Sequence, residues 1–131
     1  MTNETGALLL DTSVVIDYLR NQPPLHQKIQ AAAVLYIPHI VVGELLCGAY
    51  TTGSEKALSH IREFCDACVL LLPTENTAEH YARIKAALAQ AGTPIPENDI
   101  WIAAAAKQYD LPLATRDKHF SHVSGINVFH W

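Results

Sequence analysis

A chain of 131 residues, half of them apolar, can bury one compact core and has too few residues for two. Its longest apolar runs, 31–37 and 100–106, fall far short of the roughly 20 residues that cross a bilayer, so no membrane span is expected. A formal charge of −4 excludes the broadly basic surface that wraps nucleic acid without regard to sequence.

Residues 1–6 are polar, include Glu4 and place no basic segment ahead of the apolar stretch that follows, which does not read as a signal peptide and points to a cytoplasmic protein. Residues 7–10 form a continuous apolar run that stops at Asp11-Thr12-Ser13, the pattern of a buried strand followed by a helix N-cap. A short helix is predicted over 14–20. Asn21-Gln22-Pro23-Pro24 breaks the chain, 25–33 regains helical composition, and 34–37 offers a second strand closed by Pro38. Residues 39–50 have helical length but too few polar positions for a surface helix. After Thr51-Thr52-Gly53-Ser54 comes a polar amphipathic helix over 55–66. A third strand over 69–72 stops at Pro73, a helix over 77–91 ends at Gly92, and Pro94 and Pro96 introduce a last long helix over 97–109. A strand over 111–115 and an extended segment over 127–129 complete the chain. This alternation predicts an α/β fold, one domain over 1–131, with a parallel sheet of four to five strands flanked by helices on both faces.

Three cysteines are an odd number, and without an export signal they argue against a disulfide framework. Cys65 and Cys68 make a C-x-x-C with no second pair, at the end of a helical stretch rather than the start where redox chemistry favours it. Buried, reduced thiols are the simpler reading.

The acidic residues carry more information. In an open parallel sheet, ligands bind beyond the carboxyl ends of the strands near the point where strand order reverses. Asp11 directly follows the first predicted strand and Asp117 follows the fourth by two residues, so the two converge if those strands are neighbours. Asp11 taken alone reads equally as the N-cap of the next helix. Glu44 is harder to explain that way, because it lies among Ile40, Val41, Val42, Gly43, Leu45, Leu46 and Cys47 with no basic residue within one turn. Asp99 heads the apolar run 100–106, where a favourable charge in a first helical turn is the plain alternative. Four such acids near one crevice would repel one another, and a bound cation resolves this; oxygen donors select hard ions such as Mg²⁺ or Mn²⁺. With these four acids set aside, the remaining charge is close to neutral, and Arg116 and Lys118 flank Asp117 as candidates for local phosphate contact. Neither G-x-x-x-x-G-K nor G-x-G-x-x-G occurs, so the ion itself would bind phosphate, and water made acidic beside it could attack phosphorus. The chemistry expected is phosphodiester hydrolysis.

The residues Leu9-Leu10-Asp11-Thr12-Ser13-Val14-Val15-Ile16, Val42-Gly43-Glu44-Leu45, Asn98-Asp99-Ile100-Trp101-Ile102-Ala103-Ala104-Ala105 and Leu113-Ala114-Thr115-Arg116-Asp117-Lys118-His119-Phe120 stand in this order over most of the chain. Together they resemble the PIN-domain nucleases, and within them the VapC-type ribonuclease toxins of prokaryotic toxin–antitoxin pairs. The resemblance implies a PIN-like fold and an acidic pocket of Asp11, Glu44, Asp99 and Asp117. In that pocket Asp11, Asp99 and Asp117 hold Mg²⁺ or Mn²⁺, and Ser13 and Thr115 support them by hydrogen bonds. It further implies endonucleolytic cleavage of RNA, a homodimer, and inhibition by an antitoxin protein. Pro94-Ile95-Pro96-Glu97 departs from the glycine-containing approach expected before the third acid. His119 reads as a structural or surface histidine, and Trp101 as a packing residue more than a platform for bases.

Two phosphate-handling rivals lack essential residues. A phosphatase of the haloacid dehalogenase type needs an aspartate where Ser13 stands, and a response-regulator receiver needs one after the third strand, where Leu72-Pro73-Thr74 stands. Two further possibilities keep the fold: a PIN protein that only binds, or a PIN nuclease of RNA processing outside toxin–antitoxin biology.

Overall fold

A computed structural model describes residues 4–131; Met1, Thr2 and Asn3, part of the polar N-terminal stretch, lie outside the described residues. Among those described, the order is β1 (Ala7–Leu10), α1 (Thr12–Leu19), α2 (Pro23–Ala31), β2 (Val34–Pro38), α3 (His39–Thr52), α4 (Glu55–Asp66), β3 (Val69–Leu71), α5 (Glu75–Ala91), α6 (Glu97–Gln108), β4 (Leu113–Thr115), a 3-10 turn (Lys118–His122) and β5 (Val128–His130). The five strands make one parallel sheet in the order β3-β2-β1-β4-β5.

β1 is the central strand. Leu8, Leu9 and Leu10 are wholly buried, each stabilising the fold by about 1.5–3 kcal/mol relative to exposure. Leu9 pairs with Tyr36 of β2 on one side and Leu113 of β4 on the other, so a strand covered on both faces has no polar alternation to display. From β1 the chain steps outward to β2 and β3, then returns through α5 and α6 to β4 on the opposite side of β1. Right-handed crossovers taken in opposite directions put their helices on opposite faces. The reversal of strand order therefore lies between β1 and β4.

Several boundaries differ from those expected of the sequence. Pro23 and Pro24 do not separate helices but open α2, because a proline in the first turn lacks only an N–H that has no intrahelical partner anyway. The break falls at Asn21, with φ 60°. α5 begins two residues early at Glu75, where Thr74 and Thr77 form a reciprocal cap; Gln108 at the end of α6 donates to the Thr74 hydroxyl (2.7 Å) and accepts from that of Thr77. Gly92, with φ 71°, ends α5 as its left-handed conformation requires. Residues 118–122, to which the sequence assigns no element, form the 3-10 turn; five residues are too few for a periodic signal, and the wholly buried Phe120 anchors them.

α6 carries Ala103, Ala104, Ala105 and Ala106, all buried, and such small side chains let a helix lie close to its neighbours. Trp101 stacks on Tyr81 of α5 with centroids 3.8 Å apart and planes 10° from parallel, consistent with packing. Cys65 and Cys68 are free thiols; burial pushes the Cys68 thiol up to about 12 and raises that of Cys65, which disfavours the thiolate that redox or zinc chemistry needs. No helix among the described residues is long and apolar enough to cross a membrane.

Candidate metal centre at the strand-order reversal

Because Leu10 pairs with Ala114, the next residue of each strand, Asp11 and Thr115, emerge side by side at the carboxyl end of the sheet. The Asp11 N–H donates to the Ala114 carbonyl (3.1 Å). Its carboxylate, 3% exposed, accepts from the Thr12 N–H on Oδ1 and from the Ser13 and Thr115 hydroxyls on Oδ2, each at 2.7 Å. Asp11 is thus the N-cap of α1 and also a fixed anion at the rim, so its two possible roles coexist. Ser13 Oγ in turn accepts the Arg116 N–H (3.0 Å), and Thr115 Oγ1 accepts the Asp117 N–H (2.9 Å). Ser13 and Thr115 therefore stitch β1, α1 and the loop after β4 into one unit.

Asp99 enters from the first turn of α6. In place of the expected glycine-containing approach, Pro96 takes the N-cap position with extended backbone and buried Ile95 pins the loop. The Asp99 carboxylate meets His119 of the 3-10 turn, with Nδ1 2.8 Å from Oδ2. The same Nδ1 lies 2.9 Å from Asp117 Oδ1, an oxygen that also accepts the His119 N–H at 2.9 Å. The ring is 45% exposed, as a surface histidine is, yet its Nδ1 sits between two of the key carboxylates. The reading of a structural or surface histidine does not specify this contact. The sequence signal was its spacing two residues after Asp117, which a 3-10 turn folds back onto the same side.

Ligand atoms of Asp99, Asp117 and His119 all lie within 4.8 Å of one another; Asp11 stands outside that tight group. Glu44 is farther round the rim. It is half-buried, and its Oε1 accepts from the Thr12 hydroxyl at 2.8 Å, which ties α3 to the start of α1. Arg116 is engaged with Asp17 of α1 (3.2 Å), whereas Lys118 is exposed and makes no ion pair among the described residues.

The electrostatics match an unmet positive charge. Burial pushes the Asp99 carboxyl up to about 6, the charges of Asp11 and Asp117 push it the same way, and the His119 hydrogen bond opposes them. His119 is itself raised, chiefly by its hydrogen bond to Asp99. One imidazole is set against three carboxylates, two of which it touches. A hard-oxygen donor set with one nitrogen fits a divalent ion such as Mg²⁺ or Mn²⁺.

The sequence model of the PIN domain matches residues 8–126. The chain belongs to the PIN-domain family. It is 32% identical over 127 residues to Ribonuclease VapC2 of Haemophilus influenzae, covering 94% of this chain and 96% of the relative. This PIN protein is also 32% identical over 135 residues to Toxin FitB of Neisseria gonorrhoeae, at 93% and 96% coverage. Among solved structures, DNA-bound VapBC from Salmonella typhimurium superposes with a TM-score of 0.86 at 27% identity, over 94% of this chain and 96% of that one.

Proposed function

We propose that this PIN domain is a metal-dependent endoribonuclease that hydrolyses RNA phosphodiester bonds, and the toxin of a toxin–antitoxin pair. The observation that carries this is the convergence of Asp11, Asp99 and Asp117 on the strand-order reversal, from three separate parts of the chain. The names and assemblies of the similar proteins, a ribonuclease, a toxin and a VapBC complex, support the same reading. In it Asp11, Asp99 and Asp117 hold Mg²⁺ or Mn²⁺. When bound, the ion supplies positive charge to the phosphoryl oxygens and lowers the pKa of water. Asp11 is held in a single orientation by its three donors, which removes reorganisation from the reacting geometry. Glu44, whose Oε1 takes the Thr12 hydroxyl, keeps its other oxygen to accept the proton of the attacking water. Lys118 reaches the RNA backbone, while Arg116, drawn to Asp17, orients the loop more than it binds phosphate. The setting is cytoplasmic, the inhibitor is a cognate antitoxin protein, and the working unit is a homodimer.

The test is cleavage of total cellular RNA by purified, partner-free protein with Mg²⁺, Mn²⁺ or EDTA, beside Asp11→Asn. Cutting should require the metal and fall by about 100-fold or more in the variant. A folded, partner-free sample that cuts in neither metal, or a variant that cuts as well as the parent, overturns the reading.

Metal binding should also depend on pH. Protons compete for Asp99 below about 6, so Mn²⁺ affinity should weaken by up to about tenfold per pH unit below that point. In thermal unfolding, Mn²⁺ should raise Tm more at pH 7.5 than at pH 5, by the equivalent of about a tenfold change in affinity. An equal rise at both would rule out Asp99 as a ligand.

A further inference from the structure

The contact between His119 and its two carboxylates asks more of one proton than one proton can give. Nδ1 lies 2.8 Å from Asp99 Oδ2 and 2.9 Å from Asp117 Oδ1, both acceptors, so in the metal-free chain Nδ1 carries the hydrogen and shares it between two anions. A shared hydrogen satisfies neither partner fully. The same spacing suits a different occupant: adjacent donors of an octahedral ion with bonds of about 2.1 Å stand about 3 Å apart. The backbone holds this arrangement independently of the ring. Phe120 is wholly buried, the Asp117 N–H is fixed by Thr115, and the His119 N–H is fixed by Asp117. The ring is thus carried on an anchored turn, with its nitrogen already among the carboxylate oxygens.

We propose that His119 Nδ1 is a direct ligand, joining Asp99 and Asp117 in a mixed carboxylate–imidazole centre that selects Mn²⁺ over Mg²⁺. This rests on the metal-dependent function proposed for the same site and adds a nitrogen donor to it. The selection follows from ligand type. Mg²⁺ keeps to oxygen donors and gives up water reluctantly, whereas Mn²⁺ lies further along the series of metals that accept imidazole. Asp11, outside the tight group, adjoins it through Thr115, whose hydroxyl donates to Asp11 Oδ2 and accepts the Asp117 N–H.

The experiment uses the full chain, free of partner, loaded with Mn²⁺ alone and read by pulsed electron paramagnetic resonance of the bound ion. Three samples are compared: the parent, the parent labelled with ¹⁵N-histidine, and His119→Ala. The expected result is ¹⁴N modulation in the parent, replaced by the ¹⁵N pattern on labelling and absent from the variant. By titration, the variant should bind Mn²⁺ about tenfold or more weakly, with Mg²⁺ affinity changed by less than about threefold. Since the labelled parent carries no mutation, the result does not depend on the variant folding. Bound Mn²⁺ without nitrogen coupling overturns the proposal and leaves the metal-dependent function intact. Nitrogen coupling that persists in His119→Ala also overturns it, by assigning the signal to another histidine. A parent that binds no Mn²⁺ overturns both.

Discussion

Asp99→Asn is expected to lower RNA cleavage by about 10²–10³-fold at pH 7.5 while making the metal-free protein more stable. Both effects come from one carboxylate. Its charge is needed for the cation, but without the cation it is a buried anion beside Asp11 and Asp117. A carboxyl raised from 3.8 to about 6 binds its proton more tightly in the folded chain than in the unfolded one. Its stabilising contribution is therefore fully present below pH 4 and is lost as pH rises through 6. A shift of that size corresponds to roughly 3 kcal/mol at 1.36 per unit, which residual hydration and the His119 contact reduce to about 1–2 kcal/mol. Asparagine removes the charge and keeps an oxygen to accept from His119 Nδ1. With a chelator present, the variant should melt a few degrees above the parent at pH 7.5, by about 3 °C or more, and the difference should vanish near pH 4. Parent-like cleavage would remove Asp99 from the proposed ligands. An unchanged or lowered Tm at pH 7.5 would mean that the carboxylate is not strained in the metal-free state.

Thr115→Val should cost about 1–3 kcal/mol of stability and about 10–100-fold in activity, a large effect for the loss of one hydroxyl. Thr115 is wholly buried, and its Oγ1 does two jobs at once. It donates to Asp11 Oδ2 at 2.7 Å and accepts the Asp117 N–H at 2.9 Å. Valine fills the same volume but leaves a backbone N–H unpaired and a carboxylate one donor short, and donors to charged groups are the stronger kind. Both aspartates should then lose their fixed orientation. Urea unfolding measures the stability, cleavage assays the activity, and Thr115→Ser should recover most of both because it restores the hydroxyl. If serine recovers no more than valine, the residue acts through packing and not through its oxygen.

The surroundings of these two residues also show where sequence reading succeeds. Leu8, Leu9 and Leu10 running into Asp11 announce a buried strand and a polar turn with no tertiary information, since both signals are contiguous. Gly92 ends its helix for an equally local reason, the left-handed backbone at φ 71°. Asp11, Glu44 and Asp99 stood out because each adjoins an apolar run, and Asp117 because it follows the fourth predicted strand by two residues. All of that is composition and spacing along one dimension, and it determined the α/β architecture, the element order and the set of candidate carboxylates.

What only the tertiary structure decided are the relations between residues far apart in the chain. That β4 lies against β1 brings Thr115 onto Asp11 across 104 positions, and no local propensity encodes which strand a strand will choose. The bond from Thr12 to Glu44 spans 32 positions and places that acid beside Asp11, not within the tight group of Asp99 and Asp117. The contact of His119 with Asp99 is hidden from the sequence for the same reason. Asp99 stands 20 residues away on another element, and the five-residue turn that swings the ring inward is too short to leave a period in the sequence. Local chemistry chose the elements and the acids; packing of the strand-order reversal chose their neighbours, because such contacts form only when the whole sheet closes around β1.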